Sequence, residues 1–386
     1  MRSIIQRKGA KTQRFNLFEP SRLSAFALKL KFLFVVLILS FVATASAGMA
    51  TKQDFETVEV AEGIFGFIAT ESNSGVVQGN VVLIIGADAA VLIDSGQFPS
   101  LAERMAVKVR ELTTKPVRLL INTHWHGDHL LSNHVFKKHF PGLIVLAHEN
   151  TVVLGEKMYG KFADQVKGYP KLIEDLRAMA KSGKSTKGRT LTEEEKTGLS
   201  IDADALESSL ADLSASRYEP AEMTFQKEIS FDLGKRKLRV MNLGRGNTSG
   251  DAVILVPDAK VLVTGDTVVH PTPYSFGSYH SEWMDVLKKM MELGADTYIP
   301  GHGRVMKDAS YIQTLIALLG DVRSQVGAAV KQNLSLEDVR KRVTLDEWKQ
   351  RLAGDNPDRR RAFKDFFLDP GIERAYKEAK GEPLTE

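Results

Sequence analysis

The chain has 386 residues, 43% of them hydrophobic and 26% charged, which suits a globular protein of one large domain or two. The net charge of +4 is unevenly placed: residues 1–47 carry eight Lys or Arg against one acid, so the remainder stands at −3. That mildly acidic body gives no electrostatic case for nucleic acid as a partner, and the absence of cysteine excludes thiolate nucleophiles, iron–sulfur clusters and cysteine-type zinc fingers.

The basic leader runs into an apolar stretch, Phe32 to Val42, and then Ala45-Ser46-Ala47. A positive region, an apolar run and small residues at a cleavage position match a secretory signal over residues 1–47, with export to a bacterial periplasm. The apolar run is short for a membrane span of about 20 residues, so no stable span is expected after cleavage. An uncleaved amino-terminal anchor is the alternative.

Alternation predicts a first strand within Val58–Ile68, near a Gly turn, followed by strands at Asn80–Gly86 and Ala89–Gly96. Leu101, Met105, Val109 and Leu112 have helical spacing over Pro99–Leu112. Val117–Asn122 and Leu143–Ala147 are further strands. Residues 151–222 change texture toward Lys, Ser and Glu, and predict a helical insertion with a loose loop at Lys181–Lys187. Strands return at Lys237–Met241, Ala252–Val256 and Lys260–Thr264, the last two joined by a Pro257-Asp258 turn. From Ser310 onward Ile312, Leu315, Ile316, Leu319, Val322 and Val326 form an amphipathic helical stripe. Arg359-Arg360-Arg361 in this tail reads as a solvated helix start.

Between the strand at Val117–Asn122 and the next helix lies Thr123-His124-Trp125-His126-Gly127-Asp128-His129. Imidazoles and a carboxylate at this density are the donors that zinc and related cations prefer, and a loop at a strand's carboxyl edge is where open αβ folds place chemistry. Four other stretches put a polar donor just beyond an apolar run with Gly beside it: Asp94 in Ile93-Asp94-Ser95-Gly96, Gly246-Asn247-Thr248-Ser249-Gly250-Asp251, Gly265-Asp266 at the end of its strand, and Gly301-His302-Gly303.

This ordered series resembles the metallo-β-lactamase superfamily over roughly Val58 to Lys307. The resemblance implies an α/β fold, a four-layer αβ/βα sandwich, occupying residues 54–309 with the helical insertion at 151–222 and a C-terminal helical extension at 310–386. It implies His124 and His126 as ligands of a first metal, Asp128, His129 and His302 as ligands of a second, Asp266 as a bridging carboxylate and Asp94 as a carboxylate that orients a ligand loop. Asp128 also becomes a candidate catalytic residue, stabilising the developing oxyanion or handing a proton to the leaving group. One position departs from the pattern: Asn247 stands where the family has a histidine. It is either a weak amide ligand, leaving the first site with lower affinity, or a turn residue facing away. His270, four residues beyond Asp266, is a candidate for the pocket mouth.

The implied cofactor is Zn²⁺, one or two per chain, and the implied chemistry is attack by a metal-activated hydroxide on a small-molecule ester, lactone, thioester or amide. Alternatives are a periplasmic β-lactamase, an iron-dependent persulfide dioxygenase and a non-catalytic metal-binding protein. Asp266 speaks against the first, since β-lactamases of the superfamily usually carry Cys or Ser there, and Asn247 speaks against the second.

Overall fold

In the computed structural model, which describes residues 50–386, the apolar runs sort into two sheets. The run Val58–Ile68 is not one strand but a hairpin, β1 (Phe55–Ala61) and β2 (Ile64–Ala69), paired antiparallel. Gly63 turns it with φ +69°, a left-handed value that favours glycine; alternation on both sides of so short a turn hides the break. Antiparallel β3 (Val81–Ile85) and β4 (Ala90–Ile93) follow. Helix α1 (Pro99–Leu112) then crosses over to parallel β5 (Val117–Ile121). The short turns α2 (Gly127–Leu130) and α3 (Asn133–His139) lead to parallel β6 (Ile144–His148).

The insertion is four helices: α4 (Glu149–Tyr159), α5 (Phe162–Val166), α6 (Tyr169–Ser182) and α7 (Glu193–Ala215). Its polar loop is not loose. Gly183 caps α6 in the left-handed region, Ser185 N–H donates to Arg189 O at 2.9 Å and Leu191 N–H to Gly183 O at 2.9 Å. Thr192 and Glu195 then exchange hydrogen bonds at the start of α7 (3.1 and 2.8 Å), satisfying two helix-end donors. Strand β7 (Met223–Phe225) completes a seven-stranded sheet in the order β1 to β7.

The second sheet holds β8 (Glu228–Asp232), β9 (Lys237–Met241), β10 (Val253–Val256), β11 (Val261–Val269) and β12 (Thr297–His302), with α8 (His280–Glu292) between the last two. Val82, Ile84, Val91, Ile93 and Ile121 from the first sheet pack against Val240, Ile254, Val256, Val263 and Ile299 from the second. Each such side chain, fully buried, contributes on the order of 1.5–3 kcal/mol. The second sheet's other face (Met241, Val253, Leu255, Leu262) packs on Trp283 and Leu287 of α8 and on Ile312, Leu315 and Leu319 of α9 (Ser310–Lys331). Helix–sheet–sheet–helix layering is therefore the architecture, as the resemblance implies.

The extension continues as α10 (Leu336–Arg342), α11 (Asp346–Ala353), α12 (Pro357–Ala362), a π-helical turn (Phe363–Leu368) and α13 (Asp369–Ala379). Its arginine run is not a solvated helix start throughout. Arg359 pairs bidentately with Glu71 at 2.7 and 2.8 Å, and Arg361 is only 3% exposed. Among the described residues no helix is long and apolar enough to cross a membrane. The expected leader, residues 1–47, lies outside the described residues.

Asp202 of α7 is the buried acid where insertion and extension meet. One of its oxygens accepts from Gly75 N–H at 3.1 Å and the other has no hydrogen-bond partner. Burial pushes its pKa up to about 6, against the opposing pull of nearby Arg361. A raised folded-state pKa means that the contribution is fully present below about pH 4 and lost as pH rises through about 6, a swing of about 3 kcal/mol. Asp202→Asn should therefore flatten the decline in thermal stability between pH 4 and 6.5, measured by calorimetric melting; a variant slope equal to wild type would refute the assignment.

Candidate metal centre

Asp94 follows β4 with φ +60°, in the left-handed region, and is 2% exposed. Its carboxylate accepts from Thr123 N–H at 2.7 Å and Thr123 Oγ1–H at 2.8 Å, and lies 2.8 Å from His129 Nδ1. With Nδ1 donating to Asp94, His129 presents the lone pair of Nε2 to the interior of the site. Asn122 Nδ2 donates to His129 O at 3.2 Å and to Asn133 Oδ1 at 3.1 Å, fixing the turn that follows β5. From the insertion, Tyr159 accepts Gly127 N–H at 2.9 Å.

Asp266 does not end its strand. It sits within β11, where the pairing with β12 shifts register around Gly265, whose φ is +51°. The bulge turns the carboxylate inward. At Gly301 a Cβ would stand 1.9 Å from Asp266 Oδ1, and at Gly79 one would stand 2.6 Å from the His129 ring. Both glycines are present because the ligand residues occupy the space a side chain would need. Asn80 Nδ2 donates to Pro300 O and Gly303 O, each at 2.9 Å, which ties β3 to the His302 loop.

Six of the predicted residues converge in two groups that could hold metal: His124, His126 and Asp266, and Asp128, His129 and His302. In the second, His129 Nε2 is 3.3 Å from His302 Nε2 and 3.4 Å from Asp128 Oδ2, and His302 Nε2 is 2.9 Å from Asp128 Oδ2. Asp266 Oδ1 closes the set at 3.3 Å from His129 and 3.5 Å from His302. Donors about 2.0–2.1 Å from a tetrahedral cation stand about 3.3 Å apart, so this spacing suits one ion at the centre. In the first group His124 Nε2 is 2.9 Å from His126 Nδ1 and 3.6 Å from Asp266 Oδ2. Asp266 thus offers one oxygen to each group, and its Oδ1 is buried with no hydrogen-bond partner.

Asn247 is completely buried, and neither its Oδ1 nor its Nδ2 has a partner. Its loop is firm: Thr248 N–H and Oγ1–H donate to Asp251 at 3.0 and 2.6 Å, and Ala252 N–H donates to Thr123 O at 2.7 Å beside the His124 loop. A buried amide left open on a rigid loop costs roughly 1–3 kcal/mol per unmet group unless something meets it.

The electrostatics favour a cation. Burial depresses the pKa of His124 and His126, keeping both imidazoles neutral and ligand-ready. Burial acts the same way on His129, but Asp128, Asp266 and Asp94 together outweigh it and raise that pKa. Burial opposes ionisation of Asp266 too, yet His302, His129 and His124 hold its carboxyl below the usual range. The carboxylates here create a field that a proton or a metal ion must answer.

His270 is not in either group. It lines a cavity of about 40 Å³ with Glu71, Tyr274, His302, Arg359 and Phe366, its ring edge-on to Tyr311 at 4.9 Å, and burial pushes its pKa down to about 4. Tyr274, not singled out in the sequence, has its ring 5.3 Å from His302, and burial with the Asp266 and Asp128 charges keeps its hydroxyl protonated. No local pattern marks Tyr274, Tyr159, Gly79 or Asn80. Each matters through a partner distant in sequence.

A family model described as the metallo-beta-lactamase superfamily matches residues 74–302, more than half of the chain, and the chain belongs to that superfamily. A linear primary-alkylsulfatase of a Pseudomonas strain is 21% identical over 289 residues, covering 71% of this chain and 51% of its own length. Among solved structures, a stereoselective inverting sec-alkylsulfatase from Pseudomonas sp. matches with TM-score 0.56 and 14% identity over 84% of this chain and 50% of its own. A metallo-beta-lactamase from Pontibacter korlensis matches with TM-score 0.48 and 19% identity over 69% of this chain and 99% of its own. The chain spans about half the length of the alkylsulfatases it matches.

Because Asp94 holds both the Thr123 turn and the His129 ring, Asp94→Ala should weaken divalent-metal binding by about 10–100-fold. Competition titration against a chromogenic chelator measures this; unchanged affinity would show that the ring holds its orientation without the carboxylate.

Proposed function

We propose that this protein is a zinc-dependent hydrolase acting on a small-molecule ester, and that the ester is an alkyl sulfate. The observation that carries the reading is the pair of donor groups with Asp266 between them, one carboxylate oxygen facing each. The N/O donor set is one that Zn²⁺ favours. The ester class rests on the sequence match to an alkylsulfatase.

His124 and His126, with Asn247 as a neutral third donor, would hold one ion; Asp128, His129 and His302 would hold the other, with Asp266 shared. Asn247 as ligand answers its open amide better than a turn residue facing away, since the latter would be expected to bond within its own loop. An amide oxygen beside imidazole is a weak donor, so the first site binds metal less tightly. A cation bound here supplies Lewis acidity and a water acidified to near neutral pKa. The chain's own residues do the rest. Asp94 keeps the proton on His129 Nδ1, Asp128 would help hold the ion and, as the carboxylate beside His302, could hand a proton on to the leaving group, and Tyr274 stays protonated beside His302. His270 contributes shape to the neighbouring cavity, not a ligand. The leader supports export to a bacterial periplasm, which amino-terminal sequencing of the protein recovered from that compartment tests.

Purified protein should hydrolyse alkyl sulfates, lose activity on chelation and regain it with Zn²⁺. A panel of alkyl sulfates, carboxylic esters, lactones and nitrocefin decides the substrate class: turnover of a lactone or β-lactam without any sulfate would overturn the sulfate reading. Asn247→His should raise zinc retained after dialysis from about one toward two per chain, measured by elemental analysis. Unchanged stoichiometry and rate would remove Asn247 from the coordination sphere.

A further inference from the structure

Beyond α13 the chain runs back to the metal centre. Buried Arg374 pins the return, donating to Gly277 O and Ser278 O at 2.7 Å each and to Thr385 O at 2.8 Å. Glu386 then places its side chain between two ligand loops. Its Oε2 accepts from Trp125 Nε1–H at 3.0 Å, and its Oε1 from Ser249 N–H at 2.6 Å. Lys157 of α4 brings its ammonium within 3.1 Å of the Glu386 main-chain oxygen. Trp125 lies between His124 and His126, and Ser249 is two residues beyond Asn247. The charge of Glu386 acts on both His126 and Asp251.

These donors are properties of the loops, not of Glu386. The indole is set by the His124–His126 turn, its ring edge-on to His126 at 4.5 Å. The Ser249 amide belongs to the rigid turn held by Asp251. An indole N–H and a main-chain N–H converging on one carboxylate recognise an oxyanion whoever carries it.

We propose that Trp125 Nε1 and Ser249 N form a subsite for an anionic oxygen group of the substrate, a carboxylate or a sulfate, and that the Glu386 side chain occupies it as an internal competitor, with Lys157 holding the main chain of the same residue. Its use in turnover rests on the hydrolase reading above; the binding does not. An external anion must displace the Glu386 carboxylate, so its apparent affinity is reduced by the fraction of molecules in which the subsite is taken.

The test is calorimetric titration of zinc-loaded full-length protein with sodium methanesulfonate and with sodium propionate, neither of which can be hydrolysed. Glu386→Ala should bind at least one of them about tenfold more tightly than wild type, as expected if the subsite is about nine-tenths occupied. Glu386→Gln should fall between, and the gain should vanish when Trp125→Phe is added. The tighter probe identifies sulfate-like or carboxylate chemistry. Equal affinities in wild type and Glu386→Ala, or a gain that survives Trp125→Phe, overturn the subsite. A second readout needs no change in a ligand loop. In tryptophan-labelled Glu386→Ala, one of the three indole N–H resonances should shift upfield from its wild-type position and return on adding the tighter anion; a resonance that stays put overturns it equally. If no ester, lactone or β-lactam of the panel is turned over, the hydrolase reading fails while these binding results stand on their own.

Discussion

The Asp94 carboxylate is the contact on which the metal centre depends. It is buried at the end of β4, where an uncompensated charge would cost several kcal/mol. Three donors compensate it: the amide and hydroxyl of Thr123 and the Nδ1–H of His129. Those bonds do structural and electronic work together. They bind the loop after β5 to the end of β4, and they fix which nitrogen of His129 faces the donor cluster. The left-handed backbone at Asp94 belongs to the same constraint, because it aims a short side chain back across the neighbouring strand.

From that point the two sheets converge on one edge. The first delivers Asp94 and the His124–His129 turn; the second delivers Asn247 before β10, Asp266 within β11 and His302 at the end of β12. Direct cross-links keep the halves in register. Ala252 N–H reaches Thr123 O, and Asn80 reaches the main chain on both sides of His302. The hydrophobic core between the sheets supplies most of the stability but cannot by itself set donor spacing to a few tenths of an ångström. These polar cross-links, with Gly79 and Gly301 making room, set it.

How much of this was legible in the sequence follows from how local each feature is. The His124–His129 cluster was readable because three histidines and an acid are contiguous, and the layered fold because strands and α1 carry clean periodicities. Asp266 was found as a donor but placed at a strand end, since Gly265 reads as a stop and its bulge depends on how β11 meets β12. Arg361 looked solvated because nothing in Arg359-Arg360-Arg361 announces that the third residue turns toward the insertion. Trp125 and Glu386 lie 261 positions apart, and no spacing rule joins residues at that distance.

The two donor groups differ in kind, and the difference runs through the surrounding structure. Asp128, His129 and His302 are enclosed by polar support, from Asp94 behind His129 to Asn80 behind the His302 loop. His124 and His126 share only Asp266 as a third donor in their group, Asn247 stands in the sequence where a third imidazole is usual, and beside them stands the proposed subsite that Glu386 fills. With the ligand set proposed above, a cation held there by two imidazoles, an amide and one oxygen of Asp266 would keep more of its charge unneutralised than its neighbour would. Such a cation attracts an anionic ligand more strongly, so a weak donor at position 247 and oxyanion donors at Trp125 and Ser249 act in the same direction. If Asn247 is the weak third donor proposed above, that choice would suit the first site to hold the charged end of a substrate, while the better-supported second site would keep its ion.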